Sequence, residues 1–255
     1  MSVLPGAEPF HHDGGRVGVV LCHGFTGTPQ SLRDWAQALA DHGYAVRLPL
    51  LPGHGTRWQD MNRTRWADWY GAVDTAFGEL RATCDTVFVA GLSMGGALAL
   101  RLAEEHGTDV AGVVVVNPSV STEDRRMAFL LPWLRHVVPS FPGVGSDVKK
   151  AGSVELAYER APLHAAHSLT QFWKLVSDDL GRVTQPLLVL RSAHDHVVPA
   201  SSSARVLARV TSADVTEVVL EDSFHVATID NDADTIVKAS LDFIERVSNP
   251  SGAPS

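Results

Sequence analysis

Along the chain, short apolar runs alternate with longer stretches in which apolar residues recur every three or four positions. The runs, at 17–22, 44–48, 86–90, 113–116, 187–190 and 215–220, are rich in valine and leucine and read as β-strands. Taken as apolar along their length, they predict strands buried on both faces, the condition of a parallel sheet covered by helices on either side. Segment 29–42 places Leu32, Trp35, Ala36 and Leu39 at helical spacing, with Pro29 suited to a first turn and Gly43 to a stop. Similar spacing fills 64–82, 94–106, 200–210 and 232–247. Strand alternating with helix gives a mostly parallel, doubly wound α/β sheet, whose functional groups collect in the loops beyond the C-terminal ends of the strands.

One stretch breaks the alternation. Residues 119–179 scatter prolines and glycines among Phe129, Leu130, Leu131, Trp133, Leu134 and Phe141, and about sixty residues is too long for a structureless loop in a compact domain. It reads as an inserted cap with short helices of its own, at 153–160 and 168–178. The chain has 255 residues, 45% of them hydrophobic, which suits one domain over 1–255 with a single core. The tail 249–255 reads as disordered.

The formal net charge of −8 comes with no cluster of lysine or arginine, so neither a nucleic acid nor an anionic membrane surface is an expected partner. No basic start precedes a long apolar run, and nothing approaches the roughly 18 apolar residues of a membrane span. The expectation is a cytoplasmic protein without stable membrane insertion. Two cysteines, Cys22 and Cys84, make neither a disulfide framework nor a four-ligand metal site, and both read as reduced structural thiols.

The sharpest chemical signal is Gly91-Leu92-Ser93-Met94-Gly95-Gly96, which directly follows the strand 86–90 and opens the helix 94–106. Glycine on both sides of a serine gives clearance to a strained strand-to-helix turn that exposes the hydroxyl. A serine hydroxyl needs a base, and the base needs a third group to hold its tautomer. In chain order the acid comes next and the histidine last. Asp195 follows the strand 187–190, and His225 follows the strand 215–220 as the sole histidine after His196. Asp222, three residues before His225, is a weaker rival for the acid.

Acyl transfer also needs two N–H donors for the oxyanion. Met94 supplies one, and Phe25, in the loop His23-Gly24-Phe25 after the first strand, supplies the other. His23 and His54 read as histidines that brace loops, with His54 in the turn Pro52-Gly53-His54-Gly55 bordering the pocket. His194 and His196 read as packing or solvent residues. The acidic run 230–234 reads as negative charge at the start of the last helix, where the helix dipole favours it.

Through HGFTG at 23–27, GHG at 53–55, GLSMGG at 91–96, HD at 194–195 and FHV at 224–226, the sequence resembles the small bacterial carboxylesterase and monoacylglycerol lipase family of α/β-hydrolases. The likeness runs over nearly the whole chain, with its specific motifs in the core and none in the cap. In family members the late motif often carries glycine before the histidine, where this chain has Phe224. The resemblance implies an esterase without cofactor or metal, with a movable cap over an acyl pocket, acting on short-to-medium acyl esters and on monoacylglycerols.

Ser93 is then the nucleophile, His225 the base, Asp195 the orienting acid, and Leu131, Trp133 and Phe141 candidate cap contacts for a small ester or lipid-like substrate. Activity should rise with pH as the imidazole loses its proton. A carbon–carbon bond hydrolase or a perhydrolase would use the same triad, and a ligand-binding protein without turnover is the reading from a different class.

Overall fold

The computed structural model describes residues 2–123, 125–143 and 145–249. Its strands are β1 (Phe10–His12), β2 (Val17–Cys22), β3 (Ala45–Leu48), β4 (Thr86–Leu92), β5 (Gly112–Val116), β6 (Ser140–Pro142), β7 (Arg160–Pro162), β8 (Leu187–Ser192) and β9 (Val215–Leu220). Seven of them form one sheet in the order β1-β3-β2-β4-β5-β8-β9. All neighbours pair in parallel except β1, which runs antiparallel to β3. The chain builds outward from β2 in one direction and then from β4 in the other. The ends of these two strands therefore flank the switch point, where α/β sheets open a crevice.

The helices are α1 (Arg33–Asp41), α2 (Trp58–Met61), α3 (Trp66–Arg81), α4 (Met94–His106), α5 (Arg125–Leu134), α6 (Leu163–Asp179), α7 (Ala200–Arg209) and α8 (Ala233–Ser248). Because side chains alternate along a strand, each strand feeds two cores. Val87, Val89, Val113 and Val115 meet Trp69 and Phe77 of α3, Leu98 of α4 and Phe172 of α6. Phe88, Ala90, Val114 and Val116 meet Trp35 and Leu39 of α1 and Phe243 and Ile244 of α8. Each of these large apolar side chains contributes roughly 2 kcal/mol on burial, so the two faces of the central strands carry the stability.

The edges depart from the expectation of strands buried on both faces. Val215, Thr216, Glu217 and Val219 of β9 are exposed, because the strand has one neighbour, and Glu217 pairs with Arg191 at 2.5 Å. At the other edge, the short β1 has no counterpart among the apolar runs. Arg47 of β3 holds it by donating to the His12 carbonyl at 3.1 Å and to Asp13 at 2.7 Å.

Inside the insertion, α5 contains Pro132, and β6 and β7 pair as a hairpin. The segment 153–160 is extended instead of helical. Several of its polar groups bond to the main domain: Gln30 donates to the Val154 carbonyl, Leu156 N–H to Gln30, Tyr158 N–H to the Thr26 carbonyl, and the Tyr158 hydroxyl to the Gly53 carbonyl. Others, such as the Glu155 N–H to Ser146 and Arg160 to Ser140, bond within the insertion. The expected helix at 168–178 lies within the longer α6, whose Phe172 and Val176 join the main core. Among the described residues no helix is long and apolar enough to cross a membrane. The expected disordered tail lies, beyond Asn249, outside the described residues.

Candidate active site

Ser93 stands between the end of β4 and the first turn of α4 with φ 59° and ψ −120°, a left-handed backbone that a β-carbon disfavours. Such strain persists where the surroundings fix it. Here the Ser93 N–H donates to the Val116 carbonyl at 2.9 Å, and the flanking glycines admit the turn. A β-carbon on Gly95 would stand 1.8 Å from the Cys22 carbonyl oxygen, and one on Gly91 would stand 2.2 Å from that of Gly95. The serine is thereby lifted to the wall of a cavity of about 380 Å³.

The loop after β2 lies beside it, with a β-carbon built on Gly24 only 3.6 Å from that of Ser93. Buried His23 clamps this loop through both ring nitrogens: Nδ1–H donates to the Gly24 carbonyl at 3.0 Å, and Nε2 accepts the Leu51 N–H at 3.1 Å. That pattern requires a neutral ring. Burial, reinforced by the neighbouring His54, keeps it neutral by lowering its pKa well below the usual histidine value. Phe25 and Met94, the two expected backbone donors, line the same cavity as Ser93.

His225 lies on that wall as well, and its Nδ1–H donates to Asp195 Oδ2 at 2.7 Å. The second oxygen of Asp195 accepts the N–H groups of Val197 and Val198, each at 2.8 Å. Burial works against the charge of Asp195, but the His225 bond and these two N–H groups outweigh it and hold the carboxyl below its ordinary range. With Nδ1 committed, Nε2 is the basic atom of the ring. Asp222, the rival acid, is exposed and paired with Lys149 at 2.5 Å.

The backbone of His225 is held as firmly as its ring. Asn117, with φ 45° at the end of β5, donates through Nδ2 to the His225 carbonyl at 2.8 Å and to Ser192 at 2.9 Å. Asp230 is buried and accepts N–H groups from Phe224, Lys149, Lys150 and Asn231 at 2.7–2.9 Å. It lies three residues before α8 and uses its charge on these loops, whereas Asp232 at the N-cap and Asp234 in the first turn of α8 stand where the helix-dipole reading puts them.

The remaining expected contacts do not meet at the cavity. His54 is buried behind the loop of His23, its ring 5.0 Å from His23 and 5.8 Å from Trp69, and burial lowers its pKa to about 4. Leu131 packs in a satellite cluster with Leu163 and Ala166. Trp133 is 75% exposed and Phe141 43% exposed, both on the outer face of the cap.

Their place on the wall is taken by Ala166, Leu169 and Trp173 of α6, by Ala157 and Tyr158 of the extended segment, and by Val197 and Val198. The spacing of 166, 169 and 173 along one helical face carried that information in the sequence. Glu155 had no such signal. Its residue is half-buried and lines the cavity, and burial raises its pKa to about 7 against the lowering influence of His225.

A family model described as serine aminopeptidase, S33, matches residues 15–232. The chain is 41% identical to a thermostable monoacylglycerol lipase of Bacillus sp. (strain H-257) over 96% of each chain, and 24% identical to a carboxylesterase of Bacillus subtilis (strain 168) over 94% of this chain and 97% of that one. Among solved structures, one reported for the metagenome-derived lipolytic enzymes LipS and LipT superposes with a TM-score of 0.93 at 39% identity, covering 96% of this chain and 100% of that one. The monoacylglycerol lipase of Paleococcus ferrophilus, at 20% identity and a TM-score of 0.77 over 94% and 99% of the two chains, shares the fold. With the family model covering most of its length, the chain belongs to the serine aminopeptidase S33 family of α/β-hydrolases, beside the carboxylesterases and monoacylglycerol lipases whose motifs it carries.

Proposed function

We propose that this hydrolase cleaves carboxylic esters, monoacylglycerols among them, through an acyl-enzyme on Ser93. The observation that carries the reading is the 2.7 Å bond from His225 Nδ1 to Asp195, with the imidazole on the same cavity wall as a serine held at φ 59°. His225 Nε2 takes the hydroxyl proton as Ser93 Oγ attacks the carbonyl carbon, and the Phe25 and Met94 N–H groups receive the negative oxygen. Collapse expels the alcohol with that proton, and water repeats the cycle to release the acid.

Two features support a glycerol ester over a simple alkyl one. Leu169, Trp173 and Val198 offer an apolar wall to an acyl chain, while Glu155 presents an acceptor to hydroxyl groups of the leaving alcohol. The 41% identical relative named a monoacylglycerol lipase points the same way.

The test is fluorophosphonate labelling with peptide mass spectrometry, alongside turnover of nitrophenyl esters of rising chain length and of monoacylglycerols. Stoichiometric labelling at Ser93 is expected, with turnover reduced about 10⁴-fold or more in Ser93→Ala and His225→Ala. Labelling without ester turnover would transfer the triad to another hydrolytic chemistry, and labelling elsewhere would refute the nucleophile.

A further inference from the structure

The loop that carries His225 is tied down by Asp195 and Asn117 and, at Phe224, by Ser192 and Asp230, but a further tie comes from the cap. Asp147 lies on the return segment that leads to Glu155. One of its carboxylate oxygens accepts two backbone N–H groups, that of His225 at 3.0 Å and that of His196 at 3.2 Å. The other oxygen accepts Nδ1–H of the His196 ring at 2.9 Å, and the Asp147 carbonyl accepts the Val226 N–H at 3.1 Å. Its side chain is only 14% exposed.

His196 is the residue after Asp195. One carboxylate therefore bridges the loop of the acid and the loop of the base, and sets the distance between them. The Asp195 bond orients the imidazole only while that distance holds, since a ring can be aimed correctly and still be out of reach of Ser93. We propose that Asp147 is a positioning residue for His225, through which the placement of the cap governs the catalytic imidazole; this rests on His225 acting as the base. A carboxylate suits the task because it accepts several N–H groups at once and binds each more strongly than a neutral amide does.

The test compares Asp147→Asn with the parent enzyme on a short nitrophenyl ester. An asparagine can keep one oxygen on the two backbone N–H groups only as a neutral amide, a weaker acceptor than the carboxylate, and its NH2 then faces the His196 ring nitrogen. A shift of the base by a fraction of an ångström should lower kcat by about 10- to 100-fold, with KM within about twofold. The low-field proton NMR signal of the His225 Nδ1–H should broaden or vanish. A folded Asp147→Asn enzyme with kcat within twofold of the parent and the low-field signal intact would overturn the proposal.

Should that variant fail to fold, Asp147→Glu carries the test, because it keeps the charge and the acceptor oxygens but lengthens the bridge to the His225 and His196 N–H groups by one methylene. A severalfold fall in kcat supports the proposal and an unchanged kcat overturns it. His225→Ala separates the two layers. If it retains turnover, the base assignment falls; if it is inactive while Asp147→Asn is unimpaired, only the role of Asp147 falls.

Discussion

Glu155, which carries no motif, is changed by its surroundings. Its pKa of about 7 means that the folded protein holds a proton the unfolded chain has released, so its contribution to stability is most favourable below the ordinary carboxyl range and is lost as pH rises through about 7. Glu155→Gln has no proton to lose. Its melting temperature should match the parent near pH 4 and exceed it at pH 8, and equal melting temperatures at both would show that the carboxyl is solvated. If the ionised group also receives the alcohol's hydroxyls, the same variant should raise KM for a monoacylglycerol about tenfold and leave a nitrophenyl ester unaffected. Ser93, Asp195 and His225 were legible because glycines, strand ends and chain order accompany them. Glu155 lies beside Gly27, and Asp147 bonds to residues 49 and 78 positions further along the chain, neighbours that sequence spacing does not reveal.

At the scale of an element, α6 does two jobs with two faces. Phe172 and Val176 lock it to α3 and α4, with the Trp66 ring stacked on Phe172 at 5.4 Å. Ala166, Leu169 and Trp173 turn to the cavity. The insertion was legible as a break in the alternation of strand and helix, but its contacts were not. The most conspicuous apolar residues, Phe129 and Trp133, lie on the outer side of α5 at 76% and 75% exposure, and the helix at 153–160 gave way to a strip bonded to the main domain. Acyl length should therefore be read by α6. Trp173→Ala should raise kcat/KM for a dodecanoyl ester relative to a butanoyl ester by about tenfold, whereas Trp133→Ala should leave that ratio unchanged. A series of nitrophenyl esters measures both, and a uniform loss at every length would place Trp173 outside the acyl site.

For the molecule as a whole, the apolar runs specified the sheet because central strands are bought by burial alone, while the two edges and the junction of cap and domain depend on charges. Asp230 is the hub of that junction, joining the return segment at Lys149 and Lys150 to the loop before His225 at Phe224. Burial opposes its charge, but bonds from these N–H groups hold its carboxyl below the usual range. A lowered native pKa stabilises the fold above the ordinary aspartate range, and that stabilisation is lost as pH falls through the native value. Asp230→Asn keeps the shape but cannot accept all four N–H groups. With hydrogen bonds to charged groups worth about 1.5–3 kcal/mol each, it should cost about 3 kcal/mol at pH 7. The difference should narrow as the parent protonates in acid. Urea unfolding of both proteins at pH 7 and near pH 3 measures it, and a gap of the same size at both would mean that Asp230 stabilises the junction by packing and not by charge.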